Sequence, residues 1–332
     1  MRRFTFSAVA VLAAAAAVSA AATGYHIVGE IQVGGEGGWD YLTVDSAAHR
    51  LYVSHATHVA VIDLDTNKVI GDIPDTPGVH GIAIAPELNK GFVSNGRGNN
   101  VTIFDLKTLK TTGTAATGEN PDSIRYDATS GRVFAFNGRS KSATAIDAKT
   151  GAAAATIPLP GKPEFSVADG KGHVYVNIED TNEIVEIDAA KGTVNKKYSL
   201  SPCDGPSGLA IDTKNRRLMS VCSNRVMAIS DPDAGKVVAT PAIGAGSDGA
   251  AFDPGTGYAF SSNGDGTLTI VQQSGGKWDV LENIATERGA RTIAVDEKTH
   301  KVYLPTAKTA PSASGGRATF LPNTFKVLVV GK

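Results

Sequence analysis

Cysteine is almost absent from this chain of 332 residues, which holds only Cys203 and Cys222. So few thiols exclude iron–sulfur arrays and the multi-cysteine zinc sites. Net charge is nearly absent too: 32 Lys and Arg against 33 Asp and Glu leave a formal charge of −1, which provides no general field for drawing in nucleic acid or an anionic membrane. Outside the N-terminus there is no apolar run long enough to cross a bilayer, and no window longer than about ten residues with helical periodicity. Local catalytic signatures are missing as well. The chain has no Gly-x-Ser-x-Gly elbow, no His-Glu-x-x-His, no phosphate loop and no Cys-x-x-Cys-His. Positive signs of an enzyme are therefore thin, although a site assembled from separate repeats would leave no local motif.

What the chain has in quantity is repetition. The stretch from Asp40 to Val69, DYLTVDSAAHRLYVSHATHVAVIDLDTNKV, recurs in altered form to the C-terminus. Matching the residue that ends its first apolar run places seven copies at Asp45, Ala85, Asp127, Ala168, Asp212, Asp253 and Asp296, 40 to 44 residues apart. A period of about 40–45 residues with several short strands in each unit is the signature of four-stranded propeller blades. In the first copy the β-rich runs are Tyr41–Val44, Leu51–Ser54, Val59–Asp63 and Lys68–Ile73, separated by polar clusters suited to tight turns. The expected fold is thus all-β: one seven-bladed β-propeller over residues 23–332, with four antiparallel strands per blade. The last copy is one strand short, with Thr292–Val295, Lys301–Leu304 and Phe325–Val330, while Tyr25–Val33 is a strand without a unit. Pairing the two would complete the seventh blade and remove two open sheet edges. Copy seven also carries an Ala/Ser/Gly/Pro-rich insertion, Thr306 to Asn323, in place of a short hairpin.

Residues 1–22 differ in kind: Met-Arg-Arg, an apolar run from Phe4 to Val18, then small residues offering cleavage after Ala20 or Ala22. This reads as a secretory signal peptide and predicts a mature chain in the periplasm or outside the cell. In that setting Cys203 and Cys222 are expected to form a disulfide contributing roughly 3 kcal/mol. A metal held by both thiolates, or two buried thiols, are the alternatives.

Strand direction sorts the polar residues onto two faces. The turns from third to fourth strand carry Asp63, Asp105, Asp147 and Asp188, where a carboxylate accepts hydrogen bonds from backbone N–H groups just ahead of it. The opposite face, hereafter face one, is irregular, and that is where a repeated scaffold accommodates function. First-strand starts place Asp40, His80, Asp122, Glu164, Ser207, Asp248 and Arg291 there, and second-strand ends and hairpins add His55, His58, Arg97, Arg139, Asn177, Glu179 and Asn263. In a ring these would converge on the mouth of the axial channel as ligand-binding candidates.

Within that set, His55, His58 and His80 with Asp40 form the most suggestive group, because imidazoles and a carboxylate suit one divalent cation or a proton relay. Asp122, Glu164 and Asp248 form a second, oxygen-rich group suited to a hard cation. Hydrogen-bonding roles in strand-end loops account for either group equally well. Asn95-Gly96, Asn137-Gly138 and Asn263-Gly264 read as turn residues chosen for positive φ, and Arg97 and Arg139 beside two of them could grip a carboxylate or phosphate.

The units RLYVSHATHVAVID, KGFVSNGRGNNVTIFD and HVYVNIEDTNEIVEID, with turns such as DLDTNKV and DAKTGA, resemble those of the YVTN-repeat β-propellers of the YncE-like family. The resemblance extends over essentially the whole mature chain, including CDGPSGLAID, SSNGDGTLTI and GARTIAVDEKTHKVYLPTA. It implies an exported seven-bladed propeller without an assigned reaction. Single-stranded-DNA binding is associated with the family's namesake, but neither a basic groove nor an aromatic stacking platform is visible here. The aromatic residues at equivalent positions, Tyr52, Phe92, Phe134, Tyr175, Phe260 and Tyr303, read as packing between blades. The expectation is a monomeric exported binding protein that takes a small polar ligand, a cation or a protein partner on face one. A metal-assisted, lactonase-like hydrolase or lyase is the alternative.

Overall fold

The computed structural model describes residues 23–310 and 319–332. The signal-peptide reading at 1–22 and the middle of the copy-seven insertion, 311–318, lie outside the described residues. Seven four-stranded antiparallel sheets stand in a ring as the blades of a β-propeller. Their innermost strands are Trp39–Asp45, Val79–Ala85, Pro121–Asp127, Pro163–Ala168, Pro206–Asp212, Ser247–Asp253 and Ala294–Asp296, and each touches the next around the ring, the last closing on the first.

Blades 1 to 6 take their four strands in simple chain order. Blade 7 does not. Its outermost strand is His26–Gln32, which pairs antiparallel with Lys326–Gly331 from His26 opposite Gly331 to Gln32 opposite Lys326. The two chain ends therefore fasten the ring as expected, with His26–Gln32 covering the outer edge of Lys326–Gly331. Tyr25, just ahead of this strand, is buried edge-on against Phe260 of blade 6 with ring centroids 5.6 Å apart.

The core lies between neighbouring blades. Phe134, Phe136 and Ile157 of blade 3, for example, pack on Val174, Val176 and Ile187 of blade 4. This two-sided burial explains why the strands read as nearly continuous apolar runs: a middle strand has a neighbouring sheet on each face. The six equivalent aromatics from Tyr52 to Tyr303 are all fully or almost fully buried, as packing residues should be.

Two local readings change. In blade 4 the residue equivalent to Asp45 and Asp127 is Asp169, one place after Ala168: it holds the turn through Lys171 N–H (2.8 Å) and His173 N–H (3.1 Å), as the other turn aspartates do. The Asn-Gly pairs are not positive-φ turns. The left-handed residues of those hairpins fall later, at Asn99, Lys141 and Gly266. Asn95, Asn137 and Asn263 are instead buried, and each donates from Nδ2 to a threonine hydroxyl on the third strand of its own blade: Thr102 (2.8 Å), Thr144 (3.0 Å) and Thr269 (3.0 Å). Blade 5 has Cys222 at this position, and it is bonded to Cys203 in the preceding loop with a Cα–Cα distance of 5.5 Å. A covalent tie stands where blades 2, 3 and 6 use an amide.

Among the described residues no helix is long and apolar enough to cross a membrane.

Candidate functional site at the channel mouth

In blades 1 to 6 the innermost strand pairs with its neighbour through its first residue and then shifts register before the next pair, as at Trp39/Leu42, Val79/Ile82 and Pro121/Ile124. The second residue of the strand falls in that irregular step. In successive blades it is Asp40, His80, Asp122, Glu164, Ser207 and Asp248, with Arg291 at the same place ahead of the shortened strand of blade 7. One strand position, repeated seven times and occupied by five residue types, makes the rim of the mouth. Directly below it Tyr41 of blade 1 reaches Phe165 of blade 4, edge to face with centroids 4.9 Å apart. These two rings lie under the mouth and, with Arg125, also line a cavity of about 240 Å³ further along the inner strands.

Charge is concentrated on the rim. His80 Nδ1 lies 2.6 Å from Asp40 Oδ2 and 3.7 Å from Asp122 Oδ1. Arg291 Nε donates to Asp248 Oδ2 at 2.8 Å, and Lys162 Nζ bridges Glu164 (2.6 Å) and Glu179 (2.5 Å). Burial alone would lower the His80 pKa, but the hydrogen bond to Asp40 and the charges of Asp122, Asp40 and Glu164 carry it up to about 9. Burial pushes the Asp122 carboxyl up to about 6 against the pull of His80 and the Tyr41 hydroxyl. Glu164 rises to about 8 through burial and the charge of Asp122, with Lys162 opposing, and Asp248 is raised by burial and by Asp40. The rim thus holds protons in common, since several carboxylates in one poorly hydrated place cannot all ionise freely. Asp122 Oδ1 is buried and has no hydrogen-bond partner among the described residues.

A cavity of about 670 Å³ opens beside the rim between blades 1 and 2 and the copy-seven insertion, lined by Trp39, Asp40, His80, Arg97, Arg291 and Phe320 among others. Two short paired segments of the insertion, Thr309–Ala310 and Thr319–Phe320, bring Phe320 onto Trp39 with centroids 5.0 Å apart. The insertion therefore borders the mouth, as its place in the repeat suggests.

The sequence-derived candidates divide. Asp40, His80, Asp122, Glu164, Asp248 and Arg291 meet on the rim, and Arg97 lines the cavity with no side-chain hydrogen bond or ion pair among the described residues. Arg139 likewise has no side-chain partner among the described residues, but it does not line the cavity. His55 does not join His80: its ring is buried on Phe325 with centroids 4.2 Å apart, and burial together with His58 lowers its pKa to about 4. Asn177 is also buried, one residue before the rim-side end of its strand, and ties blade 4 to blade 5 by donating to Ser207 O (2.9 Å) and accepting from Ser220 Oγ (2.8 Å). Asn263 is consumed by hydrogen bonds within blade 6, so neither asparagine is free to meet a ligand. The sequence reading set Asp122 apart from His80 and left Tyr41 out; both lie one blade or one residue from positions it did name.

No known family model matches the chain, and no curated protein matches it. Among solved structures, Kuenenia stuttgartiensis hydrazine synthase is similar at 15% identity and a TM-score of 0.71, covering 86% of this chain and 96% of that one. The structure of U3-55K is similar at 9% identity and a TM-score of 0.75, covering 92% of this chain and 98% of that one. Likenesses this distant in sequence bear on architecture alone, and the seven sheets counted in the structure define it: the chain is a seven-bladed β-propeller.

Proposed function

We propose that this protein is an exported binding protein of the YVTN-repeat, YncE-like kind, and that it holds a small polar ligand at the mouth of the channel on face one. The observation that carries the reading is the rim: one structural position that carries five different residue types in seven blades, above Tyr41 and Phe165 and beside a cavity of about 670 Å³. Were the position merely structural, the same residue would serve in most blades, as aspartate does in the turns of the other face. The rim offers carboxylates, an imidazole, a hydroxyl and a guanidinium to one occupant, which suits a ligand with several hydrogen-bonding groups and at least one charge. Nucleic acid fits poorly, because the equivalent aromatics are buried and no basic groove accompanies them. The disulfide and the N-terminal sequence support export, and the N-terminus of the secreted chain should begin at Ala21 or Thr23.

Calorimetric or thermal-shift screening with small polar metabolites tests the reading. Binding should be lost in Glu164→Gln and Arg291→Ala and kept in Asp63→Ala and Asp105→Ala on the opposite face. A ligand indifferent to all four changes would place the site elsewhere.

A further inference from the structure

The geometry points to a binding site for a first-row divalent transition-metal ion formed by Asp40, His80 and Asp122, with its open coordination positions facing the cavity lined by Arg97, Arg291 and Phe320. The inference rests on the reading of the mouth as a ligand site and names one of its occupants. Its first support is distance. A carboxylate oxygen from Asp40, Nδ1 of His80 and a carboxylate oxygen from Asp122 all lie within 4.8 Å of one another. Around an ion with bonds of about 2.1 Å, donor atoms stand about 3 Å apart at right angles and about 4.2 Å apart when opposite. The 3.7 Å separation of His80 and Asp122 already fits, and the 2.6 Å separation of His80 and Asp40 needs to open by only a few tenths of an ångström.

Two further observations are independent of that spacing. Asp122 Oδ1 is buried with no hydrogen-bond partner among the described residues and His80 Nδ1 3.7 Å away, a costly condition for a carboxylate oxygen that a directly bound cation would relieve. The orientation of His80 is also fixed. A Cβ placed on Gly96 would come within 2.6 Å of Nε2, so the far side of the imidazole rests against the Gly96 backbone and Nδ1 is the nitrogen turned to the two carboxylates. An imidazole donor with two carboxylates favours manganese, cobalt or zinc over calcium, which takes six to eight oxygens. On binding, the proton on Nδ1 leaves for solvent and the metal takes its place between the same two carboxylates. With three protein donors the ion keeps positions for an outside ligand, as catalytic and carrier sites do and closed structural sites do not. Arg97 and Arg291 stand across that opening, so an anionic or carboxylate-bearing molecule is the chemistry that could bridge metal and guanidinium.

The test is equilibrium dialysis of the chelator-treated full-length mature protein against Mn²⁺, Co²⁺ and Zn²⁺, with metal measured by mass spectrometry and Co²⁺ also followed by its visible absorption. One equivalent should bind, with loss of roughly 100-fold or more in affinity in His80→Ala and in Asp122→Asn. Asp63→Asn, on the opposite face, should bind as the parent does. Circular dichroism and melting of each variant establish that it is folded, and Asp40→Asn serves if either of the first two is not. Failure to bind one equivalent at millimolar metal, stoichiometric binding unaffected by His80→Ala and Asp122→Asn, or equal loss in Asp63→Asn would each overturn the inference. A small-molecule ligand that still binds in a Glu164-dependent way while no metal does would sink this inference and leave the reading of the mouth intact.

Discussion

The two faces of the propeller use the same acidic residue in opposite electrostatic states. On the turn face, Asp63 accepts from the N–H and hydroxyl of Thr66, Asp105 from those of Thr108, and Asp147 from those of Thr150, at 2.7 to 3.0 Å. Those hydrogen bonds hold all three carboxyls below their ordinary pKa, and Lys191 does the same for Asp188. On the mouth face, Asp122, Glu164 and Asp248 are raised by burial and by neighbouring carboxylates. Donors supplied by the local backbone make an acid part of the fold. Where they are withheld, the acid is left for something else to neutralise.

The sharpest way to break this contrast is at the buried turn aspartates nearest the axis. Asp253 accepts from Gly255 N–H (3.0 Å), Thr256 Oγ1 (2.7 Å) and His300 Nδ1 of blade 7 (2.9 Å). Asp253→Ala should cost roughly 2–4 kcal/mol in urea unfolding, because it strands donors from two blades. A smaller loss than that seen on mutating the rim would reverse the assignment of the two faces.

Next in size is the effect of pH, where the faces should have opposite slopes. The lowered turn carboxylates contribute stability that is present above the ordinary aspartate pKa and lost as pH falls through their own. His80, raised to about 9, contributes stability that is complete below about 6.5 and lost as pH rises through 9. The raised Asp122 and Glu164 have the same sign as His80: the folded chain holds their protons longer, so stability declines as pH climbs to about 6 for the first and about 8 for the second. The rim should therefore make the protein less stable at pH 9 than at pH 5, with His80 alone contributing on the order of 3 kcal/mol and the carboxyls adding in the same direction. Urea midpoints across that range should flatten in the double variant Asp122→Asn, Glu164→Gln, and an unchanged alkaline limb would show that the rim carboxylates titrate normally.

Gly96→Ala is expected to act less strongly, costing about 1–2 kcal/mol, because the new methyl group must push the His80 ring aside. Nuclear magnetic resonance titration of His80 should then show a pKa nearer its ordinary value, while an unmoved pKa would mean the ring has room to spare. Smallest of all should be Asp63→Ala or Asp105→Ala: a slight fall in melting temperature and no change in anything bound at the mouth.

Much of this was legible before any coordinates. The period set the number of blades, the unpaired Tyr25–Val33 implied closure by the two ends, and a single strand position already listed Asp40, His80, Asp122, Glu164, Asp248 and Arg291. What the text of the chain could not supply was distance across the ring. His55 is three residues from His58 and close to Asp40 in sequence, yet Phe325, almost three hundred residues away in the chain, buries it. Asp122, in the third blade, reaches the imidazole that His55 does not. The Asn-Gly pairs misled for a different reason. Asparagine tolerates positive φ and also bonds well through its amide when buried, and only the threonines opposite Asn95, Asn137 and Asn263 decide which use applies. Ala168 was matched by where an apolar run ended. The chemistry of the turn, an aspartate serving the N–H groups that follow it, would have selected Asp169.

The meeting of Tyr41 and Phe165 beneath the rim joins blade 1 to blade 4 across the ring. Anything seated at the mouth rests on two aromatic rings carried by separate blades, so a shift of either blade would be felt by what lies above them.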